Sequence, residues 1–248
     1  MELTQMRCKN CGKETTSTYC AHCGQRSSVH QITFKETFHD LADNLFSISA
    51  PLPKTLRYLV SNPGRLLREY LQGKRKSYYK PISFFILTTV FYIFVRWAID
   101  FDIQGKVIST EEAIEQMGQA NIVKAQGFMF QNINNLLFFF VFSLSSMLKV
   151  FFYKKYTLSE YIAVAFYLVG FYSLLTTTNI FFIKFFNLQI QFLAILAMLG
   201  YFVYAMIRFF QKRPFLVAFK SVLAYFFAYL LYGFLAFGFS YLVVVLSP

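Results

Sequence analysis

Two cysteine pairs carry the most specific chemistry in the chain. Cys8-Lys9-Asn10-Cys11-Gly12 is followed by Cys20-Ala21-His22-Cys23-Gly24, and these four cysteines are all it contains. The two thiols of a Cys-x-x-Cys turn can reach the same ion. Two such knuckles close a tetrahedral four-sulfur shell of the kind zinc prefers. The glycine after each second cysteine lets the turn end at positive φ. The expected ligands are Cys8, Cys11, Cys20 and Cys23, although His22 could stand in for one of them. A closed shell leaves no open position for a reacting water, so the expected Zn2+ is structural rather than catalytic. The eight-residue spacer from 12 to 19 suits a small hairpin, with Thr15, Thr16, Thr18 and Tyr19 as strand formers. A head this small cannot bury a core of its own. Metal binding is therefore expected to supply most of its folding free energy.

A second concentration of reactive side chains lies at Gly73-Lys74-Arg75-Lys76-Ser77-Tyr78-Tyr79-Lys80. The charges of Lys74, Arg75, Lys76 and Lys80 suit either a topology determinant or contact with a lipid headgroup or phosphate. The run lacks the glycine pattern and preceding strand of a P-loop. Catalytic constellations are missing: there is no H-E-x-x-H or G-x-S-x-G, and His22, His30 and His39 all precede the apolar part. No apolar stretch carries His, Asp or Glu near its middle. The expected catalytic residues are therefore none, and the chain is read as a non-enzyme.

The elements that position these groups follow from composition. Hydrophobic residues make up 56% and aromatics 21%, with 33 Phe among 248 residues, which places the chain in lipid rather than water. Five apolar stretches qualify as spans, at 81–99, 132–152, 158–182, 188–210 and 217–246. The net charge of +12 is unevenly spread. Residues 1–80 hold 13 Lys/Arg against 6 Asp/Glu, whereas 100–131 hold 2 Lys against 5 Asp/Glu. Lys154 and Lys155 join spans two and three, and Lys212 and Arg213 join spans four and five. With the N-terminus cytoplasmic, every basic cluster falls inside, while the acidic loop and the C-terminus fall outside. That orientation puts the cysteines in a reducing compartment and favours metal over disulfides.

Between head and spans, Ile32, Phe34, Phe38, Leu41, Leu45 and Ile48 recur at helical spacing. Pro51 and Pro53 interrupt, short helices are expected at 54–60 and 65–72, and Gly73 is a C-cap. These helices can lie in the interface with their apolar faces on lipid, or cap the bundle; a mixture with the interface dominant is the favoured arrangement. The domains expected are a zinc ribbon at 1–27, amphipathic cytoplasmic or interfacial helices at 28–80, and a five-helix transmembrane domain at 81–248. The fold class is an all-α polytopic membrane protein with a small N-terminal four-cysteine ribbon.

The knuckles resemble the short zinc ribbon that heads many prokaryotic membrane proteins. Pro63-Gly64, Glu69-Tyr70, Gly73-Lys74-Arg75, Tyr78, Pro81 and Phe84, behind a ribbon ending Cys-Gly-Gln-Arg, resemble the bacterial family called domain of unknown function 3667. That resemblance implies an architecture and no activity. The function expected is that of a non-enzymatic bacterial inner-membrane protein whose ribbon serves as a cytosolic docking or structural module. The alternative is a transporter or channel for a lipid-like or small solute, motivated by the polar run from Ser173 to Asn179. Expected partners are the bilayer's anionic headgroups and a protein at the ribbon. A second copy could dock through the small residues Ala224, Ala228, Ala236 and Ser240. Nucleic acid is disfavoured, since no recognition helix follows the ribbon.

Overall fold

The computed structural model describes residues 6–27, 51–99, 120–132, 136–186 and 191–246. In the ribbon, β1 (Met6–Arg7) pairs antiparallel with β2 (Glu14–Thr15), Met6 opposite Thr15, and an isolated bridge joins Tyr19 to Arg26. Each knuckle thus sits at the tip of its own small hairpin. The expectation of one hairpin filling the spacer is corrected, because each knuckle closes its own backbone bonds. The Gly12 amide donates to the Cys8 carbonyl at 2.8 Å and the Cys8 amide to Lys13 at 2.9 Å. The second knuckle repeats this, with Gly24 to Cys20 and Cys20 to Gln25 both at 2.8 Å. Gly12 and Gly24 take φ of 76° and 68°, as the turns require.

Two short helices form a collar. α1 (Pro51–Ser61) takes in the two prolines at its start, so the helix expected at 54–60 is longer by its first turn. First-turn amides have no helical acceptor, so proline costs nothing there. Asn62 caps α2 (Pro63–Leu71), its Oδ1 accepting from the Arg65 amide at 3.2 Å. Gly73, at φ 108°, ends α2 in a Schellman turn: its amide donates to Tyr70 O at 3.1 Å and that of Lys74 to Glu69 O at 2.9 Å. Leu59, Leu66, Leu67 and Tyr70 are buried in the common core. In residues 51–80 these apolar side chains therefore cap the bundle, the lesser part of the expected mixture. The helix expected over 32–48 lies outside the described residues.

The remaining helices are α3 (Pro81–Ala98), α4 (Ala120–Gln131), α5 (Leu137–Phe151), α6 (Leu158–Phe186), α7 (Gln191–Phe210) and α8 (Pro214–Leu246). Among the described residues, three stretches are long and apolar enough to cross a membrane: Pro81–Ala98, Leu158–Phe185 and Pro214–Leu246. Leu137–Phe151 and Leu196–Phe210 are shorter apolar helices. Among the described residues, three of the five stretches expected to cross thus qualify as spans, and α7 has 20 residues in all. It also turns the end of the expected outer loop into α4, which packs on α8. The loop's acids all precede α4, whose own sequence is apolar apart from Lys124 and a few amides.

α6 is the central helix, touching α3, α5 and α7, whereas α8 lies at the edge against α4, α5 and α7. Correspondingly, 61% of the apolar window of α6 is buried against 11% of that of α8. α2 packs on α7, and the collar thereby joins the bundle. Large apolar side chains such as Trp97, Phe215 and Phe234 point outward, which suits lipid and not water. Ala224, Ala228, Ala236 and Ser240 are fully buried within the chain, so their close spacing serves internal packing.

Candidate functional site

The hairpins bring four sulfurs together, all within 4.8 Å of one another. Cys8 and Cys23 Sγ are 3.6 Å apart, as are Cys11 and Cys20. A tetrahedral site with metal–sulfur bonds of about 2.3 Å separates its sulfurs by about 3.8 Å. The geometry and the donor set therefore fit one metal ion. No pair is bridged, and Cys8 and Cys20 are buried. His22 is exposed and stands outside the cluster. The thiols are unequal. Although the Lys13 amide favours the Cys11 thiolate, burial and the three neighbouring thiols push Cys11 up to about 11. The amides of Cys23 and His22 draw Cys20 down to about 7. A cation at the centre offsets the cost of collecting thiolates there.

The ribbon does not hang free. Gln25, 5% exposed, spends both ends of its amide on the loop after α2. Its Nε2 donates to Gly73 O at 2.8 Å, and its Oε1 accepts from the Lys76 amide at 3.0 Å. From the first knuckle, Asn10 Oδ1 accepts from the Ser77 hydroxyl at 2.6 Å. Both knuckles therefore grip residues 73–77, and the Lys76 side chain passes beside Gly24.

The same loop is tied to the collar and the bundle. The Tyr79 amide donates to Thr55 Oγ1 at 2.8 Å, and the Tyr167 hydroxyl of α6 donates to Tyr79 O. The Tyr78 hydroxyl donates to Glu69 Oε2 at 2.7 Å. Glu69 also meets Arg65 Nε at 3.1 Å and Lys74 Nζ at 3.2 Å. Burial works against the charge of Glu69, but Tyr78, Arg65 and Lys74 outweigh it and hold the carboxyl down to about 2. Burial and the hydrogen bond to Glu69 raise Tyr78 in turn. Lys54 stands over the Tyr78 ring at 5.0 Å and Arg65 over Tyr58 at 5.2 Å.

The basic quartet thus lies in a joint between ribbon, collar and bundle. Lys74 is occupied by Glu69, Arg75 is half-buried with its Nε shielded from solvent, Lys76 is exposed, and Lys80 precedes α3. Sequence reasoning found these charges but missed Asn10, Gln25, Thr55 and Tyr167, the polar groups that fix the joint. The signal available was the Gln directly after the second knuckle's glycine. The polar run in α6 has an internal use: Ser173, Thr176, Thr177 and Thr178 bond carbonyls three or four residues back in their own helix.

Residues 51–93 match the family model described as Protein of unknown function (DUF3667), which supports the family resembled by the Pro63–Phe84 motif. Neither a curated protein nor a solved structure matches the chain.

Proposed function

We propose that this chain, with the family's segment between its ribbon and its central helix, is a non-enzymatic integral membrane protein. Its ribbon holds one structural Zn2+ and serves as a cytosolic brace and docking module. The observation that carries this reading is the double grip of Gln25 and Asn10 on residues 73–77. A tethered head would leave those groups to water; here they anchor the metal-binding turns to the collar. Arg7, Lys9, Lys13 and Arg26 remain exposed on the ribbon, which favours an acidic protein surface as partner. Zinc is the ion that best suits a closed four-thiolate shell. The chain resides in a bacterial inner membrane, ribbon inside, with five crossings, and Lys76, the exposed member of the basic quartet, faces anionic headgroups.

Transport draws no support from the Ser173–Thr178 hydroxyls, which are used within α6. The test is recovery of the full chain from native membranes beside a Cys20→Ser/Cys23→Ser variant, with metal content measured in both. One zinc per intact chain is expected, and loss of metal and of co-purified protein in the variant. Identical co-purified proteins after metal loss would remove docking and leave bracing. An intact chain without zinc would overturn the reading.

A further inference from the structure

The ribbon, the loop at 73–80 and the bundle are joined by hydrogen bonds at both ends of the short backbone stretch from Lys76 to Tyr79. The Cys20 amide donates to the Gln25 carbonyl at 2.8 Å, so the second knuckle sets the backbone position of Gln25. The Gln25 side chain then holds Gly73 O and the Lys76 amide. Three residues after Lys76, Tyr79 is held by Thr55 of α1 and by Tyr167 of α6. Pro81 starts α3 immediately afterwards, and Phe84 packs on the Tyr167 ring at 6.0 Å. Among the ribbon's described residues only Cys8, Thr15, Cys20 and Gln25 are buried, too few to form a core that would hold the turns.

We propose that metal occupancy of the four cysteines controls the 73–80 joint, with Gln25 as the positioning residue that transmits it to the start of α3. The inference rests on the metal reading above and adds a consequence to it. With zinc bound, both knuckles keep their turns and Gln25 stays aimed at the loop. Without it, the turns lose their common centre, the two Gln25 bonds and the Asn10–Ser77 bond are released, and the loop carrying Lys74, Arg75 and Lys76 is freed from the ribbon. Tyr79 keeps its own partners on α1 and α6, so the effect grades along the joint: largest at Lys76, smaller at Tyr79. Since linkage is reciprocal, whatever holds the loop on the ribbon also tightens zinc binding.

The experiment is amide hydrogen exchange on the full chain in lipid discs, with zinc and after its removal by a chelator, for the intact sequence and for Gln25→Leu. In the intact chain, zinc removal is expected to speed exchange at Lys76 by about 2- to 10-fold, the worth of one hydrogen bond. Gln25→Leu keeps all four ligands, so it is expected to bind one zinc, exchange quickly at Lys76 from the start, and respond little to the chelator. Slow exchange at Lys76 that survives complete zinc removal would overturn the proposal and leave the metal site intact. Equal chelator responses in the two chains would remove Gln25 as the transmitting residue. An intact chain that takes up no zinc would overturn the reading beneath it, a separate failure seen before any exchange is measured.

Discussion

At the scale of single residues, Glu69 is the carboxylate on which the joint depends. It neutralises Arg65 and Lys74 and receives the Tyr78 hydroxyl, so one side chain links α2 to the loop that follows it. Its carboxyl, near 2 in the folded chain, would titrate near 4.3 unfolded. A group depressed by folding stabilises above its unfolded value and loses that contribution as pH falls through its folded one. Glu69 therefore contributes fully above about pH 5 and is lost between about pH 5 and 2, worth about 1–2 kcal/mol once solvent screening is counted. Replacing Glu69 by Gln should lower thermal stability by about 1–3 kcal/mol at neutral pH, since Arg65 and Lys74 lose their shared anion. It should also flatten the acid limb of the unfolding profile. An unchanged profile between pH 5 and 2 would show that another carboxylate governs that limb.

At the scale of elements, the crossing of α2 over the end of α7 decides how the collar meets the bundle. Gly64 makes it feasible: a Cβ there would fall on the Arg208 carbonyl and within 2.5 Å of the Phe209 nitrogen. Both obstacles are backbone, so the helices would have to separate. Arg68 adds to the contact by donating to the Arg208 and Phe209 carbonyls at the α7 end, where helix carbonyls are left over. Gly64→Ala should cost about 1–3 kcal/mol by overpacking. Gly200→Ala in α7 itself, where a Cβ meets nothing within 4 Å, should be neutral or stabilising by about 0.5–1 kcal/mol. Thermal melts of both variants in one detergent read the contrast, and equal losses would refute the crossing. This crossing also shows what was legible in the sequence. Pro63-Gly64 could be read as a helix start, because proline and asparagine act locally. That the glycine serves a contact with residue 208 could not, since its partner lies in another helix. The ribbon shows the same division. Four cysteines at fixed spacing announce their own cluster, and the positive φ of Gly12 and Gly24 follows from the turn. The grip of Gln25 on Gly73 spans 48 residues, and no local pattern encodes it. Likewise, Thr157 and Glu160 form a capping box at the start of α6 that their spacing permits.

At the scale of the molecule, positive charge gathers at one end, where it also seals helix ends. Lys155 Nζ donates to Phe210 O at 3.3 Å and stands over the Phe210 ring, closing α7. Lys220 donates to Phe151 O at 3.3 Å, closing α5. These bonds place the ends of α5 and α7 beside the starts of α6 and α8, at the end that bears the collar. α3 runs alongside α6, with Phe85 on Phe166 near their beginnings. The three span-length helices therefore all run away from the ribbon. If all three cross, the chain has to return twice between them, and in the five-crossing arrangement proposed above α5 and α7 are the returning helices. At 15 residues α5 reaches about 22 Å, less than the hydrocarbon core of about 30 Å. α4 packs on the same neighbour, α8, and in the proposed arrangement it carries the remaining distance. The five crossings proposed above would put the two termini on opposite sides, with the basic end inside. In intact cells, an impermeant label should therefore reach a tag fused after residue 248 and leave one fused before residue 1 unlabelled until the membrane is opened. Labelling of both tags or of neither would mean an even number of crossings, and one of the two returning helices would then have to lie in the surface instead of crossing.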